Sequence, residues 1–152
     1  MSEAEQSLYD AAGGRTALTT LAHAWHERCL ADPVVSHAFS HGFHPDHTAR
    51  LAAYWAEALG GPAGYSGSVQ GESVVVRMHS GNGPHDEMDR RALAAFVAAM
   101  DDAGLPDDPR LRGALTDYFA WGIAELNHRY PSPEDVPDDL DVPRWSWEGP
   151  VG

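Results

Sequence analysis

Apolar residues recur at three- and four-residue steps in four stretches of the chain, and each stretch ends in a helix-stopping signal. In the first, Leu18, Leu21, Ala22, Trp25 and Cys29 share one face, as in a helix that buries one side. Gly13-Gly14 permits a sharp turn into it and Asp32-Pro33 ends it. The second begins at Asp46, a good capping residue, and carries Leu51, Tyr54, Trp55, Ala58 and Leu59 inward. Gly60-Gly61-Pro62 stops it. The third runs from Asp86 to Ala103, with Met88, Leu93, Phe96, Val97 and Met100 inward and Gly104 as its stop. The fourth starts near Pro109, a favourable first-turn proline, and presents Leu111, Leu115, Tyr118, Phe119 and Leu126 before Pro131.

Between the second and third helices the pattern is ambiguous. Val74, Val75 and Val76 favour a strand by propensity, yet no partner strand is evident and a lone strand cannot satisfy its own backbone. The segment from Ser73 to Met78 therefore reads as an extended stretch or a short helix leading to His79. Ser80-Gly81-Asn82-Gly83-Pro84 breaks the chain there. The Pro- and Asp-rich tail from Pro131 to Gly152 is expected to be irregular. Its Trp145 and Trp147 should still pack on the body, since exposed indoles are costly in water. The organisation expected is a helical body over 8–130 with a packed tail over 131–152.

Composition narrows the function classes. The chain has 152 residues, the size of one domain. No apolar run approaches the ~20 residues that span a bilayer, and the start lacks a signal pattern. A cytoplasmic protein without a membrane partner is expected. The net charge is −13, and all ten basic residues are arginines. Without lysine there is no Schiff-base nucleophile, and the acidic balance argues against nucleic acid. The single cysteine, Cys29, excludes an internal disulfide, a four-cysteine zinc site and a self-held iron–sulfur cluster. It lies on an apolar helix face and reads as a buried, inert thiol.

Any bound metal must then rely on His, Asp or Glu, and there are nine histidines. Two constellations compete. His37, His41, His44 and His47 fall close together with Asp46 among them, a grouping that could bind a divalent ion or simply form a solvated loop. The other set is distributed, with His79 after Val-Arg-Met and His26 and His47 on two different helices. A haem needs one strong axial nitrogen, and an apolar pocket with hydrogen-bond donors on its other side. Leu51, Tyr54 and Trp55 lie one and two turns beyond His47, where they could line such a pocket. Taken singly, the histidine reads more readily as a satisfied polar residue and the aromatic stripe as plain core, so spacing alone does not lead to haem.

The order of the pieces separates these readings. From about Leu8 to Arg129 the chain resembles the group II truncated haemoglobins, the shortened two-over-two globins. The matching residues are Leu8-Tyr9-Asp10-Ala11-Ala12-Gly13-Gly14, Trp25-His26 with Asp32-Pro33, Arg50-Leu51, Gly60-Gly61-Pro62 with Tyr65, and Arg77-Met78-His79. The resemblance implies an all-α, two-over-two helical sandwich holding haem b, with His79 as the proximal iron ligand. It implies that Phe39 packs on the haem, that Leu51 and Tyr54 contact it, and that Arg50 and Tyr65 reach a propionate. Arg77, Met78, Phe96 and Tyr118 complete the implied cofactor contacts. In this lysine-free chain only arginine offers a cation to those carboxylates.

Departures from the family pattern concentrate on the distal side. His26 stands where a tyrosine is usual, and His47 where a small residue is common. The family's large tryptophan in the third long helix is replaced by Ala92 or, with a short insertion after His79, by Phe96. A neutral imidazole can donate to bound dioxygen or coordinate iron itself, so His26 and His47 are expected to stabilise the ligand, and either can approach the sixth position. Titration near pH ~6.5 would make ligand release pH-dependent around neutrality. The implied activity is binding of dioxygen or another diatomic, extending to nitric oxide detoxification or peroxidase-like redox chemistry with an external electron donor. Two alternatives remain, a histidine-cluster metal protein and a haem-free interaction module. The tail either caps the haem edge or supports a homodimer.

Overall fold

The protein, seen here as a computed structural model, is described over residues 6–36, 46–62, 64–65, 72–79 and 86–151. Its helices are α1 (Leu8–Ala12), α2 (Gly14–Ala31), α3 (His47–Ala58), α4 (Glu72–His79), α5 (Asp86–Asp102) and α6 (Pro109–His128). A 3-10 turn at Pro133–Asp135 follows, then strands β1 (Arg144–Ser146) and β2 (Gly149–Val151). Helix α2 packs on α3, α5 on α6, and α2 also on α5. Two helix pairs thus face each other, the all-α two-over-two arrangement expected.

The long helices start and stop where the sequence signals put them. Asp108 accepts from the backbone N–H groups of Arg110 and Leu111, capping α6 ahead of Pro109. Asp46 stands at the head of α3, but its backbone carbonyl bonds Arg50 N at 2.9 Å instead of its side chain capping the turn. Gly13 joins α1 to α2 at φ 115°, where a Cβ would sit 2.9 Å from that of Ala17. Gly61 lies flat under the Tyr9 ring, with a Cβ there only 2.7 Å from it. Helix α1, which periodicity did not anticipate, is docked on the end of α3, where Tyr9 N donates to the Leu59 carbonyl at 3.0 Å.

Where the two pairs meet, aromatic side chains fill the centre. Phe96 stacks on Phe119 with centroids 4.3 Å apart at 17°, and Trp55 meets Phe96 edge-on at 5.5 Å. Trp25 stands edge-on to both Trp55 and Phe119, and its indole N–H donates to the Ala92 carbonyl at 3.0 Å. Residues of α2, α3, α5 and α6 so meet in one cluster. At the periphery, Arg28 pairs with Asp102, and Arg91 with Asp32 at 3.3 Å, bracing α2 against α5.

Three expectations are corrected. Val97 is 44% exposed, because the inward stripe of α5 runs through Phe96, Ala99 and Met100 and leaves Val97 off it. Helix α3 is buried on all sides from Ala52 to Leu59 rather than on one face. The tail covers its outer side, with the Arg144 guanidinium donating to the Glu57 carbonyl at 3.2 Å. The tail itself forms an antiparallel hairpin that pairs Arg144 with Val151. Trp145 meets Tyr118 and Trp121 at 6.0 and 5.3 Å. The Trp147 indole donates to the Gln6 carbonyl at 2.6 Å and lies beneath the Arg110 guanidinium. The valine run before His79 is helix, as one of the two readings had it.

Candidate functional site

Two polar contacts hold the first turn of α3 onto α2. Thr48 Oγ1 lies 3.4 Å from His23 Nε2, and the Arg15 guanidinium donates to the Ala49 carbonyl at 3.5 Å. With the helices so docked, the His26 and His47 rings face each other, centroids 4.8 Å apart at 58°. The Nε2 atoms of both are buried. His79 closes α4 and is half-buried. It lies within electrostatic reach of His47, so imidazoles of three different helices share one region.

Burial sets their protonation. Desolvation, then the neighbouring His26 and His79, hold the His47 ring down to about 4. His26 is also lowered, by desolvation and then by His23, with Glu27 opposing. His47 is therefore a neutral imidazole throughout the neutral range, able to donate or to offer a lone pair. The titration near pH ~6.5 expected for an unperturbed ring is moved well below neutrality at this position. Cys29 is fully buried and its thiol is pushed up to about 12 by desolvation, as expected of an inert cysteine.

At the other end of α4 lies a second buried polar group, centred on a residue the sequence did not single out. The Tyr54 hydroxyl donates to both carboxylate oxygens of Glu72, at 2.9 and 2.7 Å. Tyr65 stands edge-on to Tyr54 at 5.2 Å, and Tyr118 adjoins Glu72 electrostatically. Three of the implied haem contacts thus gather around one carboxylate. The signal for it was legible in principle, because Glu72 is the lone acid on the stripe of α4 that carries Val76 and His79.

Glu72 is 5% exposed. Desolvation pushes its carboxyl up to about 7, partly offset by the Tyr54 hydrogen bond. A carboxyl raised on folding stabilises the protein fully below its unfolded value near 4.5, and that stability is lost as pH rises through about 7. The haem-free protein should then lose about 3 kcal/mol of this contribution across that interval. Urea titrations at a series of pH values measure it. Glu72→Gln should flatten the difference, and an unchanged slope in that variant would exclude Glu72 as the source.

The remaining candidates divide clearly. Leu51 is half-buried at the edge of the core and Arg50 is half-buried on the same helix. Phe96 sits inside the aromatic core at 2% exposure. Phe39 lies outside the described residues, as do His37, His41 and His44 and the side chains of Arg77 and Met78. Among the described residues no three His, Cys, Asp or Glu side chains converge as a metal site. No helix among them is long and apolar enough to cross a membrane.

The sequence and the fold have known counterparts. A family model for bacterial-like globins matches residues 7–119. The group 1 truncated hemoglobin of Synechocystis sp. is 29% identical over 104 residues, 67% of this chain and 82% of that protein. The thermostable hemoglobin of the actinobacterium Thermobifida fusca superposes with a TM-score of 0.65 at 27% identity, covering 82% of this chain and 99% of that one. The group II 2-on-2 hemoglobin of Agrobacterium tumefaciens gives 0.67 at 21% identity, covering 84% and 98%. The family match ends at Phe119, so the second half of α6 and the hairpin tail lie beyond it.

Proposed function

Because the chain belongs to the bacterial-like globin family, we propose that it is a haem b protein that binds dioxygen or another diatomic at an iron held by His79. The observation that carries this reading is the placement of His79 on α4 within electrostatic reach of His47 on α3, whose ring meets that of His26 on α2. The donor set fits the group. One imidazole stands on its own helix, a pair meets on two other helices with His47 within electrostatic reach of the first, and Leu51 adds apolar surface. The three do not converge as a bare-ion site among the described residues, which favours a planar cofactor over a single metal ion.

When bound, haem supplies an iron that accepts a small ligand, and the protein decides ligation, polarity and access. His79 would supply the nitrogen that holds its iron. His47, neutral at physiological pH, could donate an N–H toward a bound ligand or offer its lone pair, with the His26 ring packed beside it. Arg50, half-buried on α3, offers a cation for a propionate. The placement among group II members rests on the ordered motifs and on fold likeness. Redox turnover, toward nitric oxide or peroxide, would draw electrons from an external donor.

The first test is the absorption spectrum of the haem-reconstituted protein, where a Soret band at one equivalent is the expected result. The ferric form should contain a low-spin fraction that His47→Leu abolishes. A ferric spectrum that stays purely high-spin at all pH values would remove His26 and His47 from the sixth position. Absence of any stoichiometric Soret band would overturn the haem reading itself.

A further inference from the structure

We propose that Glu72, gripped by the Tyr54 hydroxyl, is a positioning residue that sets where α4 presents His79. The inference rests on the reading of His79 as the axial ligand, and it concerns how the chain aims that ligand.

Helix α4 has eight residues, well short of the ~12–15 at which a helix begins to persist alone. Tertiary contacts must therefore fix its place. Its first turn carries two polar ties to different parts of the molecule. The Tyr54 hydroxyl on α3 donates to both oxygens of Glu72, and Ser73 Oγ accepts from the Leu140 backbone N–H of the tail at 3.0 Å. Glu72, Ser73 and Val76 are all buried.

Packing does not do this work alone. Next to Glu72 and Val76, between α4, α6 and the hairpin, lies a cavity of about 200 Å3. It is walled by Trp121, Arg129, Leu140 and Arg144 among others. With a void on that flank, apolar contact leaves the helix room to shift, and the two-oxygen grip on Glu72 resists that movement.

The geometry links the grip to the ligand. Seven residues separate Glu72 from His79, two turns and about −20° on an ideal helix, so both lie on one face. Rotation or sliding of α4 at Glu72 is transmitted to the imidazole with little loss over so short a rigid element. The grip also joins α3, which carries His47, to α4, which carries His79. Among the described residues, the Tyr54–Glu72 pair is a buried polar tie between the two histidine-bearing helices.

The test compares the haem-reconstituted wild type with Tyr54→Phe, Glu72→Leu, Glu72→Gln and His79→Gly. The readouts are the iron–histidine stretching band of the ferrous protein and the rate of haem transfer to an acceptor globin. Tyr54→Phe keeps the ring packed against Tyr65 while removing the donor. It should shift or split the band and speed haem loss by up to about tenfold, the range of one lost hydrogen bond. Glu72→Leu should do the same. Glu72→Gln retains an acceptor oxygen for Tyr54 and should restore the wild-type band. If Tyr54→Phe and Glu72→Leu lower only the urea midpoint while band and transfer rate stay at wild type, the inference fails. Should the wild-type band survive His79→Gly, the axial assignment fails first and this inference with it.

Discussion

Replacing His79 with glycine is expected to cost the protein its hold on haem while leaving its helical content intact. Outer-shell partners of a metal ligand already command about 10–100-fold in affinity, and removing the ligand itself should exceed that. The fold has little reason to suffer, since His79 is only half-buried and stands at the last position of α4. Glycine also leaves a hole in which added imidazole can take the lost ring's place. The expected result is a protein purified with a weak or absent Soret band, which millimolar imidazole restores. His26→Gly and His47→Gly should retain haem and change only the ligand-side spectrum. If His47→Gly loses the haem and His79→Gly keeps it, the roles of the two helices are exchanged and the proximal assignment falls.

That contrast rests on a division between two kinds of histidine. His26 and His47 are placed by packing of long helices, whose apolar stripes were readable from the sequence. The stripe Leu18, Leu21, Ala22 and Cys29 is buried as expected, and Gly13, Gly60 and Gly104 all adopt positive φ at the ends of helices. These features are local, so spacing alone discloses them. What spacing could not disclose is how surfaces pair. The burial of α3 on every side depends on a tail that crosses back from far along the chain, and that tail carries no helical period to announce itself. Val97 shows the same limit on a smaller scale. It is as apolar as its neighbours, yet the actual stripe of α5 passes one position away.

The site was legible in a similar, partial way. Ordered motifs singled out His79 among nine histidines, and it lies within electrostatic reach of His47. The Tyr54–Glu72 grip went unread because its two halves are eighteen residues apart and each looks ordinary alone. A tyrosine on an apolar face reads as core, and a glutamate opening a helix reads as a favourable first-turn charge. Only burial of both, in one place, reveals that they satisfy each other. The lowering of His47 is invisible for the same reason, since desolvation belongs to an environment and not to a residue.

Phe96 is where core and pocket readings make opposite demands, and Phe96→Ala should resolve them by its size of effect on stability. The side chain is 2% exposed, stacked on Phe119 and edge-on to Trp55. Truncation would remove the transfer energy of a phenyl ring and leave a cavity at the meeting point of four helices. Such substitutions cost about 3–5 kcal/mol, a large part of a total stability of about 5–15 kcal/mol. At roughly 2–4 °C per kcal/mol for a chain of this size, the haem-free protein should melt about 6–20 °C lower. Val97→Ala, one residue on but 44% exposed, should stay within about 0.5 kcal/mol of wild type. Thermal denaturation followed by circular dichroism compares the two directly. A Phe96 whose chief task was to wall the ligand pocket would give the reverse pattern, with nearly unchanged melting and altered ligand release. The stack on Phe119 and the edge-on contact with Trp55 favour the core pattern, because both tie the ring to the centre of the helical body.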